Sequence, residues 1–188
     1  MISKENLKKQ GKLYKENKSR ALFLDRDGVI NIDYGYVYKK EDFTFRKEIF
    51  NICKMALIHK YKIIIVTNQS GIGQDLYTEN DFYLLNDFMI SKFLENNILI
   101  TDVYYCPYHP SKGKGKYFKD SFNRKPNPGM LYQAEKDHQL DLKNSIMIGD
   151  KESDFQASIN AKINYYIDAR EKDWEKDFLE LIKNISKN

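Results

Sequence analysis

Residues 21–28 read Ala-Leu-Phe-Leu-Asp-Arg-Asp-Gly: four apolar side chains run directly into two carboxylates spaced by one position, then a glycine. A short apolar run closed by a polar turn has the pattern of a strand buried on both faces, as strands of a parallel sheet are. Ala21–Leu24 is therefore expected as the first strand, with Asp25-Arg26-Asp27-Gly28 as the loop at its carboxyl end. An acidic turn containing glycine is common by itself. The rest of the chain gives this one its meaning.

The same grammar repeats downstream. Ile63–Val66 reads as a second strand, followed by a helix opening at Thr78 with Asp81 at the capping-box spacing. Val103–Tyr105 reads as a third strand. In RKPNPGM, residues 124–130, Asn127 is expected as an N-cap and Pro128 in the first turn of a helix that runs to about His138. Ser145–Ile148 is a fourth strand, Glu152–Asn160 a helix, Ile163–Ile167 a fifth strand, and a final amphipathic helix follows from Lys172. Cys53 and His59 belong to, or just follow, a core-facing apolar helical stretch. Strands alternating with helices predict an α/β fold, a Rossmann-like three-layer sandwich with a central parallel sheet. The short interval between the first two strand-end motifs leaves no room for a large cap domain. Residues 20–188 are expected to form one domain, and residues 1–19, rich in Lys, a basic N-terminal extension.

Composition bounds the function. The net charge of +4 comes from 31 basic and 27 acidic residues, an excess compatible with small anionic substrates but too modest for a nucleic-acid partner. The tyrosines and Trp174 are too dispersed for a base-stacking platform. No stretch approaches the roughly 18 consecutive apolar residues of a membrane span, and no apolar signal core follows the N-terminus, so the reading is a cytoplasmic protein with no membrane partner. Cys53 and Cys106 lie far apart and suggest no disulfide framework.

In an open parallel sheet the ligand site lies beyond the carboxyl ends of the strands. Those positions carry Asp25 and Asp27 after the first strand, Thr67-Asn68-Gln69-Ser70-Gly71 after the second, and Gly149-Asp150-Lys151 after the fourth. The pair Arg124-Lys125 stands just before a helix start, a favourable place for anions. Asp154, one turn beyond Asp150, puts another carboxylate at the same edge of the sheet, or serves only as a first-turn acid offsetting its helix dipole. Strand-end carboxylates, a threonine and paired cations, in this chain order, form a constellation suited to phosphoryl transfer.

These segments resemble the haloacid dehalogenase (HAD) superfamily, whose phosphatases carry DxDG/T, a strand-end Thr or Ser, a Lys and a GDxxxD-type motif. The resemblance runs from about Ala21 to Ile167. It is carried most specifically by FLDRDGVIN, DYGYV, VTNQSGI, YYCPYHP, RKPNPGM and IGDKESD. Within the superfamily it points to the group of heptose 1,7-bisphosphate 7-phosphatases and histidinol-phosphate phosphatases. The resemblance implies a magnesium-dependent phosphoric monoester hydrolase with Asp25 as nucleophile, Asp27 as acid/base, and Thr67 and Lys125 as phosphoryl stabilisers. It implies Mg2+ held by Asp25, Asp150 and the backbone carbonyl of Asp27. Substrate-binding positions would be Asp33, Tyr34, Gly35, Tyr36, Asn68, Gln69, Ser70, Arg124 and Lys151.

The implied substrate is a small sugar phosphate, foremost the 7-phosphate of D-glycero-D-manno-heptose 1,7-bisphosphate, in making lipopolysaccharide or capsule precursors. The alternatives are a histidinol-phosphate phosphatase and a silent phosphate-binding protein that keeps only the fold. A monomer is expected. One departure stands out. Members of this group often hold a structural zinc through a C-x-H pair and a later C-x-C pair, but here Cys106 is followed by Tyr108 at the His position, and Ser121 and Asn123 stand at the two later Cys positions. Ser and Asn are poor zinc donors, so no structural zinc is expected, even with His109 nearby.

Overall fold

The structure, a computed structural model, describes residues 18–185. Its sheet is built from five parallel strands: β1 (Arg20–Leu24), β2 (Tyr61–Asn68), β3 (Ile100–Cys106), β4 (Ile146–Gly149) and β5 (Tyr165–Asp168). Their order is β3-β2-β1-β4-β5, which puts β1 at the centre. Side chains alternate across a strand, and β1 uses both faces. Leu22 and Leu24 join one apolar cluster, while Ala21 and Phe23 join the other.

The first cluster is covered by α1 (Ile49–Ile58), α3 (Glu79–Glu95) and α6 (Trp174–Ile185), through residues such as Ile52, Cys53, Met89, Phe93, Trp174 and Phe178. The second is covered by α4 (Gly129–His138) and α5 (Glu152–Asn160), through Met130, Leu131, Ala134 and Ala157. A single turn, α2 (Ser70–Gly73), follows β2. The result is the expected three-layer α/β sandwich without a large cap domain. Among the described residues no helix is long and apolar enough to cross a membrane.

Several boundaries differ from the sequence reading for identifiable reasons. The ladder between β2 and β3 continues through Thr67 with Tyr105 and Asn68 with Cys106, so β2 extends two residues past Val66. Helix α3 opens as expected, with Thr78 Oγ1 accepting from Asp81 N and the Asp81 carboxylate accepting from Thr78 N. Asn127 is not the cap of α4. Pro128 takes that position, and Asn127 Nδ2 donates instead to the Ser121 carbonyl, fastening the preceding loop. β5 starts later than Ile163 because that residue's amide still closes α5, donating to Ser158 O at 2.9 Å. Ser145 lies just outside β4, where its hydroxyl accepts from Ala21 N and donates to Asp141 O.

The basic extension lies outside the described residues except for Lys18 and Ser19. Ser19 is hydrogen bonded to Gln139 O and Asp141 N, and Lys18 pairs with Glu135 at 3.1 Å.

Candidate active site

β1 and β4 are paired through Leu24 and Ile148, and the next amide, Asp25 N, still donates to Ile148 O at 3.0 Å. The loops beyond them therefore start side by side. Asp25 is buried, and its Oδ1 accepts from Arg26 N at 2.7 Å and from Lys125 Nζ at 2.9 Å. The Lys125 ammonium is only 3% exposed and points at Val66 O (2.8 Å) and Asp154 Oδ1 (2.6 Å) as well, which engages all three of its protons. Burial disfavours its charge, but Asp25 and Asp154 outweigh that and raise its pKa. Burial pushes the Asp25 carboxyl up to about 7, with Asp154 and Asp27 adding to the shift and Lys125 opposing it.

Asp154 is 0% exposed, well beyond what a helix-dipole acid needs. Its Oδ2 accepts from Asp150 N (3.2 Å) and Lys151 N (3.0 Å), closing the β4 loop, while Oδ1 faces Lys125. Asp25, Asp150 and Asp154 each offer a carboxylate oxygen within 4.8 Å of the others, and among the described residues this is the only such group of three or more His, Cys, Asp or Glu side chains. Asp150 Oδ1 is buried without a hydrogen-bond partner, and burial raises the pKa of this carboxyl. Gly28 makes the approach possible: its φ is +93°, and a Cβ there would lie 2.1 Å from Asp150 Oδ2.

The Asp27 side chain points elsewhere. Both of its oxygens accept from Arg26 Nη2, Oδ1 also accepts from Asn31 Nδ2 (3.1 Å), and Oδ2 accepts from Gln69 Nε2 (3.0 Å). Of the expected metal residues, Asp25 and Asp150 meet through their carboxylates, while the contribution expected of Asp27 is its backbone carbonyl and not this side chain. Asp154 joins the carboxylate group as well. Sequence pattern alone offered little to distinguish it, since acids in a first helical turn are common.

Asp27 lines a cleft of about 340 Å3. Eight of the nine expected substrate-binding residues line it: Asp33, Gly35, Tyr36, Asn68, Gln69, Ser70, Arg124 and Lys151. Tyr34 does not line it and is 63% exposed. Tyr77 and Ser153, not expected from sequence, line it too. Lys151 Nζ reaches Asp33 Oδ2 at 3.0 Å, joining the β1 and β4 loops across the cleft. Burial raises the Asp33 pKa, but the Gly35 amide and Lys151 pull it below its ordinary value. Asn68 clamps the backbone of Lys125 in both directions, donating to its carbonyl (3.0 Å) and accepting from its amide (3.1 Å). Arg124 Nη1 is steadied by Tyr108 O at 3.2 Å.

Residues 122–167, which contain Lys125, Asp150 and Asp154, match the HAD-hydrolase-like family. The chain is 46% identical over 168 residues to the D-glycero-alpha-D-manno-heptose-1,7-bisphosphate 7-phosphatase of Campylobacter jejuni, covering 89% of this chain and 92% of that protein. This chain belongs to the heptose-bisphosphate phosphatase family of HAD-like hydrolases. As a member it is a phosphoric monoester hydrolase. It is also 46% identical over 148 residues to the D-glycero-beta-D-manno-heptose-1,7-bisphosphate 7-phosphatase of Helicobacter pylori, covering 78% of this chain and 82% of that one. The fold is shared with the D,D-heptose 1,7-bisphosphate phosphatase of B. bronchiseptica, a structure complexed with magnesium and phosphate. The TM-score is 0.75 at 21% identity, covering 88% of this chain and 99% of that one.

Proposed function

We propose that this enzyme hydrolyses the 7-phosphate of D-glycero-D-manno-heptose 1,7-bisphosphate through an aspartyl-phosphate on Asp25. The observation that carries the reading is the buried Asp25 carboxylate held 2.9 Å from Lys125, two positions before Asp27, which lines a cleft together with Arg124 and Lys151. The relatives named for that substrate support the choice of sugar.

A phosphate monoester dianion repels a carboxylate, so the site must offset charge before attack. Asp25, Asp150, Asp154 and the backbone carbonyl of Asp27 supply hard oxygen donors, and the unpartnered Asp150 Oδ1 is an atom that a cation would satisfy, so the set fits Mg2+. When bound, Mg2+ supplies positive charge for the phosphoryl oxygens. Asp25 attacks phosphorus in line, forming the Asp25–phosphorus bond as the bond to the sugar oxygen breaks. The Lys125 ammonium, beside the attacking oxygen, and the Thr67 hydroxyl stabilise the charge on the transferring group. Asp27 protonates the leaving sugar oxygen, then takes a proton from the water that attacks the aspartyl-phosphate, releasing phosphate and restoring Asp25. Arg124 and Lys151 pair with the second phosphate of the substrate, a contact that a monophosphate cannot make.

The loop between Cys106 and Arg124 is proposed to do without zinc. Burial raises the pKa of the Cys106 thiol, opposed by the Tyr108 backbone and the Ser121 side chain. His109 Nδ1 accepts from Ser111 N and Lys112 N, and Lys114 N donates to Gly73 O at 2.8 Å. These bonds order the loop from within.

The test is steady-state phosphate release with Mg2+ from the α and β anomers of the bisphosphate and from histidinol phosphate, with Asp25→Asn as control. A preference for a bisphosphate, abolished in the variant, is expected. A preference for histidinol phosphate would replace the substrate, and no release from any of them would end the phosphatase reading.

A further inference from the structure

Gln69 lies in the cleft wall, where a substrate contact would be the ordinary expectation, yet it is only 2% exposed and its polar atoms are committed. Nε2 donates to Asp27 Oδ2 at 3.0 Å and to Thr67 Oγ1 at 2.8 Å. Oε1 accepts from the hydroxyl of Tyr77, which is itself stacked on Tyr38 with ring centroids 5.2 Å apart. A carboxamide has two protons to give, and both are used. The orientation is set by charge: turning the amide over would place Oε1 against the Asp27 carboxylate.

We infer that Gln69 is a positioning residue that couples the acid/base Asp27 to the phosphoryl-binding Thr67, held in register by Tyr77. This rests on the roles proposed above for Asp27 and Thr67. Two consequences follow from the geometry. Because Thr67 Oγ1 accepts from Gln69, its own proton remains available for a phosphoryl oxygen. Because the second Gln69 proton reaches Asp27 Oδ2, one planar amide links the group that protonates the leaving oxygen to the group that binds the transferring phosphate, while Arg26 and Asn31 hold the rest of the Asp27 carboxylate. Rotating it displaces both together, and misplacement of reacting groups by a fraction of an ångström is costly in rate. Gln69 therefore acts on turnover and contributes little to substrate affinity.

The experiment is steady-state kinetics of the full chain with Mg2+ on the heptose bisphosphate and on p-nitrophenyl phosphate, for Gln69→Met, Tyr77→Phe and the double variant. Thermal melting of each reports on the fold. Gln69→Met is expected to lower kcat on the order of 100-fold, with KM for the bisphosphate within about threefold of wild type. Tyr77→Phe, a milder change that keeps the ring stack, is expected to lower kcat about tenfold by freeing the amide. The double variant is expected to be no slower than Gln69→Met alone, because the Tyr77 hydroxyl acts only through Gln69. A KM raised tenfold or more with kcat retained would make Gln69 a substrate contact and overturn the inference. Losses that multiply in the double variant would overturn it too. A wild-type chain that hydrolyses neither ester would instead overturn the phosphatase reading beneath it.

Discussion

Asp154 Oδ1 sits 2.6 Å from the ammonium of Lys125, and both side chains are almost fully removed from solvent. A carboxylate in that position balances the cation that holds Asp25, the proposed nucleophile, while its other oxygen ties down the β4 loop carrying Asp150. Asp154→Ala leaves Lys125 short of one partner in a buried site, and breaking such a pair costs about 3–5 kcal/mol. A fall in thermal stability together with weakened Mg2+ binding is expected, read by denaturation and titration calorimetry. Unchanged Mg2+ affinity would remove Asp154 from the proposed cation site.

Gly28→Ala tests the close approach of the two loops. The positive φ alone costs a non-glycine residue about 1–3 kcal/mol, and the added methyl would overlap Asp150 Oδ2. Asp150 has to retreat, so Mg2+ affinity and kcat should both drop. A variant with normal metal binding would show that the β1 loop can shift to accommodate the methyl.

The carboxyl of Asp25 gives a pH signature. In the folded protein without metal its pKa is raised from 3.8 to about 7. The folded state then binds a proton that the unfolded state has already lost, so stability falls as pH rises from about 4 to 7. Mg2+ binds the deprotonated carboxylates and stabilises the fold by mass action. The rise in melting temperature on adding Mg2+ should therefore be larger at pH 8 than at pH 5. An equal rise at both would mean that Asp25 takes no part in binding the cation.

Arg124→Ala is expected to raise KM for the bisphosphate by about 10- to 100-fold, the scale of a charge-assisted contact with phosphate. Turnover of p-nitrophenyl phosphate, which has no second phosphate, should change little. Equal losses on both substrates would move Arg124 from recognition to chemistry.

Much of this was legible in the chain because strand ends and site coincide in a parallel sheet. Once Ala21–Leu24, Ile63–Val66 and Ser145–Ile148 are seen as strands, Asp25, Thr67 and Asp150 must gather at one edge. Other features depend on contacts distant in sequence. Whether Asp154 turns toward solvent or toward Lys125 is decided by packing between two loops 29 positions apart, of which a local pattern carries no trace. Arg26 is another case: a charged residue inside a motif looks solvent-facing, yet it is 1% exposed because Asp27 and the Val37 carbonyl absorb its guanidinium. The cap of α4 was misread because Asn127 has a competing carbonyl, that of Ser121, within reach.

The burial of Cys106, which raises the pKa of its thiol, bears on how the enzyme endures chemical stress. Oxidants attack a cysteine chiefly as its exposed thiolate. A single thiol, sequestered and kept protonated by its surroundings, is a poor nucleophile toward such oxidants. Under oxidative stress the loop beside Arg124 is therefore expected to keep its shape.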